Sequence, residues 1–173
     1  QQLSGALTAL SIEREKPVTG TEVYPHYVRQ RDGPHQLIFS QIFSNISYVA
    51  LEFANSIAAY DWQRAEVLAR FEIPVADSMP HMLAEDQFGH LYFTMKGVAS
   101  VGRLANPVPC YYWHEAGFFV GEYQLGPFML RGSTHEPVIA PDGKLWVTQQ
   151  LSGALTALSI EREKPVTGTE VYP

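Results

Sequence analysis

Short runs of alternating residues dominate the chain, and this period of two predicts β-strands rather than helices. In the run 91–94, Leu91 and Phe93 fall on one face of the strand and Tyr92 falls on the other. The run 144–148 alternates in the same way. Both faces of these strands are apolar, so each sheet is expected to be covered on both sides. Stacked sheets satisfy this expectation, whereas a β-sandwich, the second architecture considered, would expose one face of most strands to water.

Proline marks the end of four strand-rich stretches. These prolines are Pro25, Pro74, Pro127 and Pro173, at intervals of 49, 53 and 46 residues. Each interval follows one plan, in which a first strand, a glycine-containing turn and an aromatic strand precede a turn of small residues and two further strands. The plan predicts an all-β fold of four-stranded antiparallel blades, as in a β-propeller. The predicted parts are a partial blade of outer strands at 1–25 and blades at 26–76, 77–127 and 128–173.

The first 25 residues of the chain recur at its end. Residues 1–25 are identical to residues 149–173, so this segment appears again 148 positions later.

The second predicted blade carries an aromatic insertion at 105–117, which includes Trp113. A long aromatic connection of this kind suits a lid over a ligand or a contact with a partner.

Composition describes an ordinary globular protein. The 173 residues are 46% hydrophobic and 12% aromatic, with a formal net charge of −6. This acidic balance argues against nucleic acid as a partner. No apolar run approaches the roughly 20 residues that a membrane-spanning helix needs, so we expect a soluble protein, either cytoplasmic or secreted. Phosphate loops, zinc-protease motifs and nucleophile elbows are also missing from the sequence.

Three motifs of the second blade carry a resemblance to a known family: Pro80-His81, Leu91-Tyr92-Phe93-Thr94 and Val101-Gly102-Arg103-Leu104. On these motifs the sequence is similar to the streptogramin B lyases (virginiamycin B lyases), which are six-bladed β-propellers of about 45 residues per blade. The resemblance covers most of the chain. It implies a lyase that opens a cyclic depsipeptide by elimination across an ester C–O bond, with a magnesium ion nearby.

The resemblance also implies site residues at the inner ends of the blades. His35 and His81 stand where the family has its Pro-His histidines, and Glu136 stands where it has the glutamate of Glu-Pro-His. Alignment on that proline puts Val138 at the third histidine position. The family's glutamate after the aromatic strand is replaced by Lys96 in one blade and by Gln150 in another.

These positions yield candidate roles. His81, His35 and Glu136 are the predicted catalytic residues, because elimination requires a base for the proton and an acid for the leaving oxygen. Glu136 is also the predicted metal ligand, with magnesium as the expected ion. The predicted substrate-binding residues are Lys96, Gln150, Tyr92 and Trp113.

Two functions follow from these observations. The first is an enzyme of the lyase type that acts in the central pocket of the propeller on an apolar, oxygenated natural product, by elimination, ring opening, cyclisation or cycloaddition. The second is a propeller that binds a ligand or forms a scaffold without chemistry.

The exact repeat bears on assembly. Twice the 148-residue period has the length of a six-bladed ring of this family, so the chain contains about three blades, or half of a ring. A homodimer that closes the ring by strand exchange is therefore expected. The alternative is that one segment of a larger ring is represented at both ends of this sequence.

Overall fold

All regular structure in the described parts of the chain is β-strand, as seen in a computed structural model. The structure describes residues 32–64, 66–104 and 134–160 in full. It also gives the strand paths of 8–11, 16–22, 119–124 and 169–172. Within these parts, no helix is long and apolar enough to cross a membrane.

Three antiparallel sheets of four strands follow one another along the chain, and each pairs its strands in sequence order. They confirm the predicted all-β fold of four-stranded blades, and we call them blades 1, 2 and 3. A separate two-stranded sheet contains β1 (Thr8–Ser11) and β2 (Lys16–Glu22). Blade 1 contains β3 (Pro34–Phe39), β4 (Ile46–Leu51), β5 (Ser56–Asp61) and β6 (Glu66–Glu72); blade 2 contains β7 (Pro80–Glu85), β8 (Leu91–Met95), β9 (Ser100–Leu104) and β10 (Phe119–Gln124); blade 3 contains β11 (Thr134–Ile139), β12 (Lys144–Gln149), β13 (Ala154–Ser159) and β14 (Thr169–Tyr172).

Neighbouring blades pack face to face through apolar cores. One core joins blades 1 and 2, and a second joins blades 2 and 3. Burial of these side chains removes apolar surface from water, which is the main force that holds the blades together. The largest fully buried side chains are Tyr48, Phe93, Ile46, Ile57, Leu91 and Met95 in the first core, and Tyr92, Leu145 and Leu158 in the second.

Tight turns join the first two strands of blades 2 and 3. Gly89 and Gly143 adopt φ angles of +82° and +78°, a region that favours glycine. In blade 2, Asp86 Oδ1 accepts the backbone N–H groups of Phe88 and His90, each at 2.9 Å. The first strand of each blade is called its inner strand. The turns follow the last residue of this strand, so they lie at the opposite end of the blade from the residues that begin it.

The first strand of every blade contains an irregularity near its start. The pairing of first and second strands shifts between residues 34 and 37, between 80 and 83, and between 134 and 137. The three blades therefore share one register at this edge. The residues in its first position are Pro34, Pro80 and Thr134, which pair with Leu51, Met95 and Gln149.

Candidate functional site

Three histidines meet at the inner edge of the blades because they occupy the same position in the shared register. His35, His81 and His135 each follow the first residue of an inner strand. The ring centroids of His35 and His81 are 3.6 Å apart, and those of His81 and His135 are 4.7 Å apart. His81 therefore lies between the other two rings.

Hydrogen bonds from side chains of one blade to backbone groups of the next hold these strands together. The side-chain oxygen of Gln36 accepts the backbone N–H of Leu83, which links blade 1 to blade 2. The Thr94 hydroxyl donates to the backbone carbonyl of His135 at 2.7 Å, which links blade 2 to blade 3. Each bond holds a residue at or next to the histidine position, so the spacing of the three rings depends on the packing of the blades.

The residue after each second strand also shares one position. In blades 1, 2 and 3 these residues are Glu52, Lys96 and Gln150. The buried carboxylate of Glu52 lies 3.6 Å from His81 Nδ1 through one oxygen and 3.6 Å from Lys96 Nζ through the other. The backbone N–H of Glu52 donates to the carbonyl of Gly33 at 2.9 Å, which anchors the carboxylate beside the histidines.

His81 is held in its neutral form. Its side chain is almost completely buried, and among the described residues neither ring nitrogen has a hydrogen-bond partner. Burial lowers the pKa of His81 to about 3, and the positive charges of His35, Lys96 and His135 act in the same direction. The approach of Nδ1 to Glu52 is therefore a contact of a neutral imidazole and not an ion pair. Burial also lowers the pKa of His35, although the charge of Glu52 opposes this effect.

Three of these side chains form a potential ligand set for a metal. One ligand atom each from His35, Glu52 and His81 lies within 4.8 Å of the other two. Neutral imidazole is the form of histidine that binds metals, and His81 has two buried nitrogens without hydrogen-bond partners in the described chain. The residues present therefore fit a divalent cation. Two imidazoles and one carboxylate suit ions such as Zn²⁺ or Mn²⁺ better than magnesium, which prefers oxygen ligands.

The sequence-based candidates fall into different places. His35, His81 and Lys96 lie in the cluster just described. Glu136 is exposed, its N–H donates to Thr148 Oγ1 at 2.9 Å, and it is not part of the ligand group found in the described residues. Gln150 is exposed at the position equivalent to Glu52.

Of the two aromatic candidates, Tyr92 lies away from the cluster and Trp113 lies outside the described residues. Tyr92 is buried in the core between blades 2 and 3, with its hydroxyl 3.5 Å from Asp86 Oδ2. Trp113 and the whole insertion 105–117 lie outside the described residues. Their predicted contact with a ligand stays a prediction.

One positional prediction was wrong. Alignment on Pro137 put Val138 at the third histidine position, but the shifted register places Thr134 opposite Gln149 and Val138 opposite Trp146. His135 is consequently the residue equivalent to His35 and His81. The physical reason is that the pairing shift is common to all three strands, whereas Pro137 stands three positions further along its strand than Pro34 and Pro80 do, so alignment on the proline displaced the histidine position.

Glu52 and His135 were missed although the sequence carried a signal for each. Glu52 stands four residues after Tyr48, the same spacing that separates Tyr92 from Lys96. His135 stands eleven residues before the aromatic Trp146, as His81 stands eleven residues before Tyr92. Spacing to the aromatic strand, rather than to the proline, would have found both residues.

The fold defines the class of protein as a β-propeller, and comparison with solved structures agrees. The described blades are those of a β-propeller. The chain superimposes over its whole length on 49% of a streptogramin B lyase, with a TM-score of 0.72 and 18% identity. The match with virginiamycin B lyase from Staphylococcus aureus covers 82% of this chain and 41% of that chain, with a TM-score of 0.62 and 18% identity.

The fold of this chain is therefore similar to that of the streptogramin B lyases, as the sequence resemblance predicted. A periplasmic gluconolactonase of Pseudomonas aeruginosa is also similar, with a TM-score of 0.71 and 18% identity over 96% of this chain and 47% of that one. The chain spans about half the length of these structures. No protein-family model and no curated protein matches the chain.

Proposed function

We propose that the chain forms part of a small-molecule enzyme of the lyase type, which opens an apolar, oxygenated cyclic ester at a C–O bond. The observation that carries this proposal is the cluster at the inner strand ends, where the buried, neutral His81 lies among His35, Glu52 and His135. Burial of ionisable groups with perturbed pKa values is typical of catalytic sites. The streptogramin B lyases and the gluconolactonase give precedents for enzymes on this fold.

In this proposal His35, Glu52 and His81 would hold a divalent cation. The cation would polarise an oxygen of the substrate as a Lewis acid. His81 is better suited to this role than to proton transfer, because a pKa of about 3 makes it a weak proton acceptor at neutral pH. Glu136, the ligand expected from the resemblance, is the competing assignment.

Proton transfer falls to His135 and charge stabilisation to Lys96. In an elimination, a base takes a proton from the carbon next to the one that bears the ester oxygen, a carbon–carbon double bond forms, and the C–O electron pair leaves on the carboxylate. His135 is only half-buried and is the third imidazole of the cluster, so it is the proposed base. The Lys96 ammonium, also half-buried, stabilises the carboxylate that leaves.

Hydrolysis of a lactone is a second candidate, favoured by the equal likeness to the gluconolactonase. The two reactions differ in mass balance. Elimination opens the ring with no change in mass, whereas hydrolysis adds one water. Mass spectrometry of the products of a depsipeptide and of a sugar lactone therefore separates them, and incubation in ¹⁸O-labelled water identifies the added oxygen.

Variants test the assignment of residues. Glu52→Gln should lower turnover by a factor on the order of 10² or more and weaken binding of added Mn²⁺ or Zn²⁺. Glu136→Gln tests the competing ligand, and Glu66→Gln serves as the control because Glu66 is exposed on β6. No turnover of either ester class by the metal-supplemented protein would leave the binding propeller as the better description. Full activity of Glu52→Gln would remove the cluster from the mechanism.

A further inference from the structure

A cavity of about 380 Å³ lies between blades 2 and 3, at the end of these blades opposite to the histidines. It is bounded by the β7–β8 turn of blade 2, by the β11–β12 turn of blade 3 and by the residue that follows β13. Its volume falls within the range of sites that bind small molecules. Its walls include Asp86, Phe88 and Tyr92 of blade 2 and Ile139, Pro141 and Ile160 of blade 3.

Apolar side chains form most of this wall. Ile139 and Ile160 pack against the core that joins blades 2 and 3, of which Tyr92 is a buried member. Phe88 also lines the cavity and is 47% exposed, so its side chain is in contact with both the cavity and solvent. The cavity is therefore suited to the hydrocarbon part of a ligand.

Asp86 places a buried carboxylate in the same wall. The residue is only 9% exposed, and its Oδ1 accepts the backbone N–H groups of the β7–β8 turn described above. Its Oδ2 lies 3.5 Å from the Tyr92 hydroxyl, which is long for a hydrogen bond between oxygens. Among the described residues Asp86 has no ion-pair partner, and no lysine or arginine lines the cavity. A buried carboxylate without a cation is costly, because N–H donors stabilise its charge but do not cancel it.

Charge and the number of ligand groups decide which class of ligand fits. An anion would place a second negative charge beside Asp86, where burial strengthens the repulsion. A metal ion needs several oxygen or imidazole ligands, whereas the described wall offers a single carboxylate and no imidazole. An organic ammonium satisfies both conditions. Its charge pairs with Asp86, its hydrocarbon part packs on Ile139 and Ile160, and the ring of Phe88 attracts the cation.

We infer that this cavity binds a small organic ammonium cation, with Asp86 as its counter-ion and Phe88 as its aromatic contact. The site is separate from the histidine cluster. His81 is the second residue of β7 and Asp86 follows its last residue, so the two lie roughly 16 Å apart along the strand. Tyr92, which the sequence singled out as a ligand contact, lines this cavity. The inference holds or fails independently of the proposed reaction.

The test compares two probes of the same shape on the intact chain by ligand-observed NMR. The first is 2-phenylethylamine, which is protonated at neutral pH as a lysine side chain is. The second is 2-phenylethanol, which lacks the charge. The amine should bind saturably and at least about tenfold more tightly than the alcohol, because only the amine forms a charge-assisted hydrogen bond with Asp86.

Variants locate the binding. Asp86→Asn keeps an oxygen that can accept the N–H groups of the turn but removes the charge, so amine binding should weaken by at least about tenfold. Asp142→Asn is the matched control, because Asp142 is exposed, accepts the N–H of Lys144 at 3.0 Å in the corresponding turn of blade 3 and does not line the cavity. Phe88→Leu should weaken amine binding severalfold. Phe53→Leu should not, because Phe53 is 52% exposed but follows β4, at the end of blade 1 where the histidines lie.

Several results would overturn the inference. They are no saturable binding of the amine at millimolar concentration, equal binding of amine and alcohol, and equal weakening by Asp86→Asn and Asp142→Asn. Binding that appears only after Arg162→Gln would also overturn it, because Arg162 follows Ile160 by two positions and a cation of the chain itself would then occupy the cavity. The two probes are compared on the unaltered chain, so the test remains decisive if Asp86→Asn does not fold. If the amine binds as expected but no ester is cleaved, the ammonium site stands and the proposed reaction fails.

Discussion

His81 provides a stability test that needs no substrate. Its pKa falls from the ordinary 6.5 to about 3 in the folded chain, because the protonated ring would be buried among positive charges. Between these two pH values the unfolded chain binds a proton at this position and the folded chain does not. The free energy of unfolding therefore falls as the pH is lowered through this window. At about 1.4 kcal/mol per pH unit, His81 alone removes about 3 kcal/mol by pH 4 and about 4 kcal/mol by pH 3.

The perturbation is His81→Gln, which keeps a polar side chain but cannot take up the proton. Urea unfolding of the unaltered chain and of the variant, both with a chelator, gives the free energy of unfolding at pH 7.5 and at pH 4. The variant is expected to lose less stability on acidification, by about 3 kcal/mol. Carboxylates titrate in both proteins, so their contribution cancels in the difference.

His35→Gln is the companion measurement. Replacement of His35 removes one of the positive charges beside His81, so the pKa of His81 should rise. Proton NMR of the His81 ring follows this shift directly. A His81 resonance that titrates with a midpoint between pH 5.5 and 7, or equal acid sensitivity of His81→Gln and the unaltered chain, would refute the burial of a neutral imidazole.

Two further predictions concern activity and folding. His81→Ala should lower turnover of a cyclic ester by a factor on the order of 10² to 10⁴. Calorimetry should show that a chelator lowers the thermal midpoint of the unaltered chain but not that of this variant. An unchanged rate in a folded variant would exclude the role. Gly97→Ala should destabilise the chain by about 3 kcal/mol, because a Cβ atom would lie 1.9 Å from the carbonyl oxygen of Asp77. At Gly143 a Cβ atom would meet nothing within 4 Å, so Gly143→Ala should lower the free energy of unfolding by only about 1 kcal/mol, because of the positive φ. Urea unfolding compares the two variants, and equal losses of stability would contradict the predicted clash at Gly97.

Local sequence determined the strands and their grouping into blades. The alternation around Tyr92 and Trp146 predicted strands with two apolar faces, and both residues lie in central strands, β8 and β12. Turn glycines such as Gly89 and Gly143 are likewise readable, because a positive φ restricts the residue type locally. These features depend on interactions between residues close together in the chain.

The site itself depended on tertiary structure. The strand pairing makes His135 equivalent to His81 although Pro137 stands three positions further along its strand than Pro80 does, and only the pairing with β12 reveals this register. Between the paired residues of the first two strands, the connection in blade 1 is two residues longer than the one in blade 2. His35 therefore stands thirteen residues before Tyr48, and this spacing is less easily recognised. Glu52 lies beside His81 only because blade packing brings it from blade 1 to blade 2. Sequence therefore specified which elements form, and the packing of blades decided which distant side chains share one charge environment.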